Sequence, residues 1–152
     1  MEKKTICTNR KARYEYKILD TIEAGVVLTG SEVKSLRAGH ASLQESYARI
    51  EENEVFLVGC NIRPYEMANR FNHEPTRKRK LLLSSAEIRR LQRQVESKGV
   101  TLVPLRLYFR GSWVKVELGL AVGKKAYDKR ASIAERDARR EMDRARKESR
   151  HS

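Results

Sequence analysis

Near the C-terminal third of the chain the apolar positions fall on every second residue. Leu105, Leu107 and Phe109 alternate with Arg106, Tyr108 and Arg110; after Gly111-Ser112, Val114, Val116, Leu118 and Leu120 alternate with Trp113, Lys115 and Glu117. A period of two predicts strands with one face on a core, and the Gly-Ser pair predicts a hairpin between them. The second strand, Trp113 to Ala121, breaks at Gly123. Another hairpin is predicted from Ser46–Ile50 and Val55–Ile62 across the polar turn Glu51-Glu52-Asn53-Glu54. Upstream, Tyr14 to Leu19 reads as a strand, and Gly25 separates it from a short apolar strand, Val26-Val27-Leu28. The segment before these, Glu2 to Arg13, holds five Lys/Arg with little apolar periodicity, so it is expected to be an arm with a flexible tip.

Helices announce themselves by their ends. Thr29-Gly30-Ser31-Glu32 has capping-box spacing and Gly39 supplies a stop, which predicts about two turns with Val33 and Leu36 inward. Ser84-Ser85-Ala86-Glu87 repeats the box, and Ile88, Leu91 and Val95 mark one buried face of a helix ending at Gly99. Its other face carries Arg89, Arg90, Arg93 and Lys98. Between Pro64 and Lys80 no period holds, which predicts a basic loop. Five or six short antiparallel strands with interspersed helices predict a mainly β fold, a small barrel of the oligonucleotide-binding type, over residues 1–123.

Charge narrows the partner. The 152 residues carry a formal +13, of which +5 lies in the segment from Lys124 to Ser152 and +8 in the rest. A basic domain bearing a basic tail points to a polyanion, nucleic acid before a membrane surface. Neither a spanning apolar run nor a signal-peptide core is evident, so a cytoplasmic address is expected. Cys7 and Cys60 suggest neither a disulfide framework nor a zinc site, and no cofactor or metal is expected. The tail holds a third capping box, Ser132 to Glu135, and a narrow stripe of Ala134, Ala138, Met142 and Ala145. Helices of that kind are marginal alone, which argues for order supplied by a partner.

The outward row Arg106, Tyr108, Arg110, Trp113 and Lys115 combines cations for phosphates with aromatic faces for bases. Arg77, Lys78, Arg79 and Lys80 form a second basic run suited to a phosphate backbone. Catalysis has little to stand on. His73 beside Glu74 is the one acid–base pair that invites a nuclease reading, and neither a carboxylate cluster nor a Gly-rich phosphate loop accompanies it. A ribosomal protein or initiation-like factor on the same barrel is the rival among binding proteins.

Over essentially its whole length the sequence resembles the SsrA-binding protein (small protein B, SmpB) family. The motifs are Asn9-Arg10-Lys11-Ala12-Arg13 with Tyr14, Glu23-Ala24-Gly25, Gly30 through Gly39, Ser46-Tyr47, Pro75 through Leu83, and Gly123-Lys124-Lys125 through Asp128-Lys129-Arg130. The resemblance implies an adaptor of trans-translation that binds the tRNA-like part of transfer-messenger RNA (tmRNA, SsrA). It also implies delivery to the vacant decoding site of stalled bacterial ribosomes, with no enzymatic activity. The expected body is the barrel, acting as a monomer. The expected tail, 124–152, is disordered when free and helical in the empty mRNA path of the small subunit. Asn9, Arg10, Glu23, Leu82 and Lys115 are then expected at tmRNA, while Gly123, Lys124, Lys125, Tyr127, Asp128, Lys129 and Arg130 are expected at the ribosome.

Overall fold

The computed structural model describes residues 3–65, 72–124 and 136–145. The chain divides into two compact units, Met1–Val122 and Gly123–Ser152. In the first, the elements run β1 (Lys3–Thr8), α1 (Arg10–Glu15), β2 (Tyr16–Val26), α2 (Gly30–Arg37), β3 (Ala41–Ser42), β4 (Tyr47–Glu51), β5 (Glu54–Val58), β6 (Asn61–Ile62), β7 (Arg79–Leu82), α3 (Ser85–Lys98), β8 (Thr101–Arg110) and β9 (Trp113–Gly123).

The sheet order is β1-β8-β4-β5-β7-β2-β9, and β9 pairs again with β8. Six strands therefore close into a ring, which removes the open edges a flat sheet would leave. The length of β8 makes this closure feasible. Its first half meets β4 at Leu102, its second half meets β1 from Arg106 to Arg110, and its other edge follows β9 throughout. Antiparallel pairing prevails in every register described.

Val55, Leu57, Leu81, Leu102, Leu107, Val116 and Leu118 fill the ring, and Leu91 of α3 reaches into the same core. Ile88 and Val95 pack beside it, as the helical spacing predicts. A second, smaller cluster of Val103, Leu105 and Ala121 lies under Ala12, Tyr16 and Ile18. Leu105 thus belongs to a different cluster from Leu107, although simple alternation puts them on one face. A register shift between Pro104 and Arg106 accounts for the change of side.

Three other expectations change. The arm is strand β1 followed by helix α1, because Asn9 caps that helix and its amide ties the turn to the barrel. Gly25 does not interrupt a strand: β2 runs through it to Val26 and pairs with β7. The hairpin turn does form, with φ of 48° and 64° at Glu52 and Asn53, as a type I′ turn demands. Its second strand stops at Val58, however, where Gly59 takes φ 79° and a Cβ would come within 2.9 Å of the Glu45 carbonyl.

In the second unit, residues 136–145 are helical and every one of them is exposed. Met142, the one large apolar side chain among them, is exposed as well. Residues Lys125, Tyr127, Asp128, Lys129 and Arg130, and the expected capping box at Ser132, lie outside the described residues.

Candidate nucleic-acid interface

Gly25 on β2 stands directly opposite Leu82 on β7. A Cβ at Gly25 would come 3.3 Å from the Leu82 Cβ, so the missing side chain lets Leu82 lie over the strand. Leu82 is 53% exposed, Val27 42% and Trp113 67%. Exposed large apolar groups in one place mark a binding surface more often than a fault in packing. These three line one groove of about 380 Å³ together with Val33 and Lys115. Its polar members are Lys115 and Ser112, and Lys115 has no ion-pair partner among the described residues. An aromatic face, apolar walls and a cation at the rim suit an unstacked base with its phosphate.

Glu23, also on β2, is held by two groups from β8. Its carboxylate accepts hydrogen bonds from the Tyr108 hydroxyl and from Arg110 Nη1, the latter at 2.9 Å. The Tyr108 hydrogen bond lowers the Glu23 pKa most, against partial desolvation and with help from Arg110. Glu23 therefore remains an anionic acceptor, fixed in direction and half-buried. Tyr108 in turn is pushed well above the usual phenol range by burial and by Glu23.

The outward row is consequently divided. Trp113 and Lys115 face the groove, whereas Tyr108 is 1% exposed and cannot offer a stacking face. Lys3 and Arg106 lie over its ring, 5.2 and 4.8 Å from the centroid. Arg106 also meets Glu117 at 3.3 Å. Asn9 departs from expectation in the same way. Its Oδ1 accepts from Ala12 N–H, while its Nδ2 donates to the Leu43 and Pro104 carbonyls, so its amide shapes the backbone from within. Neighbouring Arg10 is exposed and lines a separate hollow of about 200 Å³ with Cys7, Lys11 and Ala41–Gln44.

The basic run resolves into distinct roles. Arg79 is completely buried and paired with Glu32, with its Nη1 donating to the Cys60 carbonyl at 2.7 Å, so it is a core residue and not a surface cation. Arg77 reaches Glu32 at 2.6 Å, Lys78 reaches Glu51 at 2.8 Å and Lys80 reaches Glu54 at 3.2 Å. These last three keep exposed portions but are already neutralised.

His73 lies within the folded unit, not in an exposed loop. Nε2 must donate to the Ile62 carbonyl at 2.8 Å, which leaves Nδ1 to meet the Ser31 hydroxyl at 2.8 Å. Both ring nitrogens are engaged and Glu74 is not among their partners. The two thiols are equally quiet. Burial raises the Cys7 pKa and pushes that of Cys60 up to about 12, far from a reactive thiolate.

The family model described as SmpB protein matches residues 6–148. The chain belongs to the SmpB family. An SsrA-binding protein of Acetivibrio thermocellus is 57% identical, covering 97% of this chain and 96% of its own. One from Symbiobacterium thermophilum is 60% identical, covering 92% and 89%. Among solved structures, a chain from one described as "tmRNA-SmpB: a journey to the center of the bacterial ribosome" superposes with a TM-score of 0.67 at 54% identity, covering 79% of this chain and 85% of that one.

For an SmpB-family barrel, the structure brings together Leu82, Trp113 and Lys115, and fixes Glu23 on the strand that carries the groove floor. It sets Arg10 in another hollow. Val27, Gly25 and Ser112 complete the groove, and periodicity missed them because Val26-Val27-Leu28 reads as wholly buried. Two apolar residues in succession cannot both face the core of a half-buried strand, and that was the available signal.

Proposed function

We propose that this chain is the RNA-binding adaptor of trans-translation, taking tmRNA by its tRNA-like part to ribosomes stalled on a vacant decoding site. The observation that carries this reading is the groove. In a chain of this family, it sets a highly exposed Trp beside an unpartnered Lys and next to a fixed carboxylate. Trp113 stacks on an unpaired base, Lys115 neutralises its phosphate, and Glu23 accepts from a base or ribose donor. Leu82 supplies the opposite wall. Arg10 adds a phosphate contact from its own hollow. The segment with Gly123, Lys124, Lys125, Tyr127, Asp128, Lys129 and Arg130 addresses the ribosome at the decoding centre and mRNA path.

The protein acts by binding rather than catalysis, as a cytoplasmic monomer. In support, His73 has both ring nitrogens occupied. Among the described residues, no helix is long and apolar enough to cross a membrane.

Binding of the full chain to tmRNA over a salt series tests the reading. Trp113→Ala should weaken binding by about 1–3 kcal/mol with little change in salt slope, because stacking releases no counterions. Lys115→Ala should reduce the slope by about 0.7–0.9. Wild-type affinity and slope in both variants would refute the groove as the site.

A further inference from the structure

The outer face of α3 carries charge that the groove does not use. Arg89 and Arg93 stand one helical turn apart, both exposed, with Gln92 beside them. Neither has an ion-pair partner among the described residues, whereas Arg13, Arg49, Arg77, Arg106 and Arg110 each face a carboxylate. The two arginines, Gln92 and Glu96 line a hollow of about 230 Å³, and Glu96 is not within ion-pair distance of either arginine. Like charges at i,i+4 oppose helix formation, so the pair works against α3 unless an anion joins it.

The place of this face in the fold identifies the anion. Ser84, the N-cap of α3, follows Leu82 by two residues, so the helix starts at the groove wall. Farther along, Arg90 meets Asp20 of β2 at 2.6 Å. Asp20 precedes Gly25 by five residues, about 16 Å along the strand, and Gly25 faces Leu82. The helix therefore begins just after the groove wall on β7 and is tied by Arg90 to β2, the strand that carries Glu23 and the groove floor. Its outer face thus belongs to the element that opens at the groove wall.

We propose that Arg89 and Arg93 grip adjacent phosphates of the same RNA that enters the groove, tmRNA, with Gln92 donating to a phosphate or ribose oxygen between them. Guanidinium groups pair bidentately with phosphate oxygens, and their Cβ atoms, about 5–6 Å apart on a helix, stand on the scale of successive phosphates along one strand. The inference rests on the tmRNA reading of the groove and adds a second anchor to it.

The test uses the full chain with three variants: Arg89→Ala/Arg93→Ala, Arg89→Lys/Arg93→Lys and Trp113→Ala. The double alanine variant should keep or slightly raise its thermal melt, since both side chains are exposed and their mutual repulsion is removed, and should lower the tmRNA salt slope by about 1.4–1.8. The double lysine variant should restore the slope while binding more weakly than wild type, because the bidentate geometry is lost. An unchanged slope in the alanine variant, alongside weakened binding by Trp113→Ala, overturns the α3 anchor and leaves the groove standing. Loss confined to ribosome association, with tmRNA binding intact, also overturns it, by assigning the face to ribosomal RNA. If Trp113→Ala has no effect either, the underlying reading of the groove falls with it.

Discussion

Glu32 is a carboxylate without exposure to water, and three separate demands converge on it. One oxygen accepts from the Thr29 backbone N–H at 2.8 Å and from Arg77 at 2.6 Å; the other meets Arg79, which is equally buried. Desolvation pulls its pKa up, but Arg77, the Thr29 N–H and Arg79 together outweigh burial and leave it lowered. A lowered folded-state pKa means that stability from Glu32 is fully present above the ordinary carboxylate range. It is lost as pH falls through the folded value. Glu32→Gln should therefore cost about 3–5 kcal/mol near pH 7, since it leaves Arg79 buried without a counter-charge. The gap between variant and wild type should narrow as urea melts are repeated at pH values falling through the folded-state pKa of Glu32, where the wild-type carboxylate itself takes up a proton. A gap that stayed constant with pH would show that packing, not charge, is what Glu32 supplies.

At the level of the element, capping boxes were the most reliable signs: α2 and α3 begin at Thr29 and Ser84 as their spacing predicts, because the motif is local and satisfies its own backbone donors. The hairpin of β8 and β9 was equally legible, down to the alternation of Val114, Val116, Leu118 and Leu120. What alternation missed depended on partners distant in sequence. Arg79 looked like any member of a basic run until α2 supplied Glu32, 47 residues away. Tyr108 looked outward until β2 brought Glu23 across from 85 residues away. Asn9 is expected at tmRNA from the resemblance alone, and in the fold the Pro104 carbonyl claims its amide. The family resemblance names Leu82, Glu23 and Lys115, yet the groove that joins Leu82 to Lys115 needed β2 paired with β7. That pairing yields a prediction for the element. Gly25→Val puts branched methyl groups against Leu82, where a single Cβ already comes to 3.3 Å. It should weaken tmRNA binding by about tenfold, on the scale of losing 1.4 kcal/mol of contact, while the melt shifts little. Gly25→Ala should lie between. Full affinity in the valine variant would mean that the Leu82 wall is not in contact with RNA.

For the molecule as a whole, the division into units at Val122 and Gly123 separates a body with its own closed core from a segment whose described helix buries none of its residues. The first unit contains every residue of the groove, the Glu23 cluster and the α3 face, so the proposed RNA contacts have no structural need of the second unit. A solvent-exposed helix with a single large apolar side chain gains little from burial within the chain, and the stability it lacks must come from whatever it binds. The proposed function then rests on two separable engagements, one by each unit. Removing residues 124–152 should leave tmRNA affinity within a few-fold of wild type, with a somewhat shallower salt slope because part of the +13 charge is gone. Peptide tagging on stalled ribosomes should stop. Circular dichroism supplies the complementary measurement, since the helical signal of 124–152 should rise when the protein binds ribosomes. Retained tagging by the truncated protein would show that the second unit is dispensable for rescue, and a collapse of tmRNA affinity would show that both units hold the same RNA.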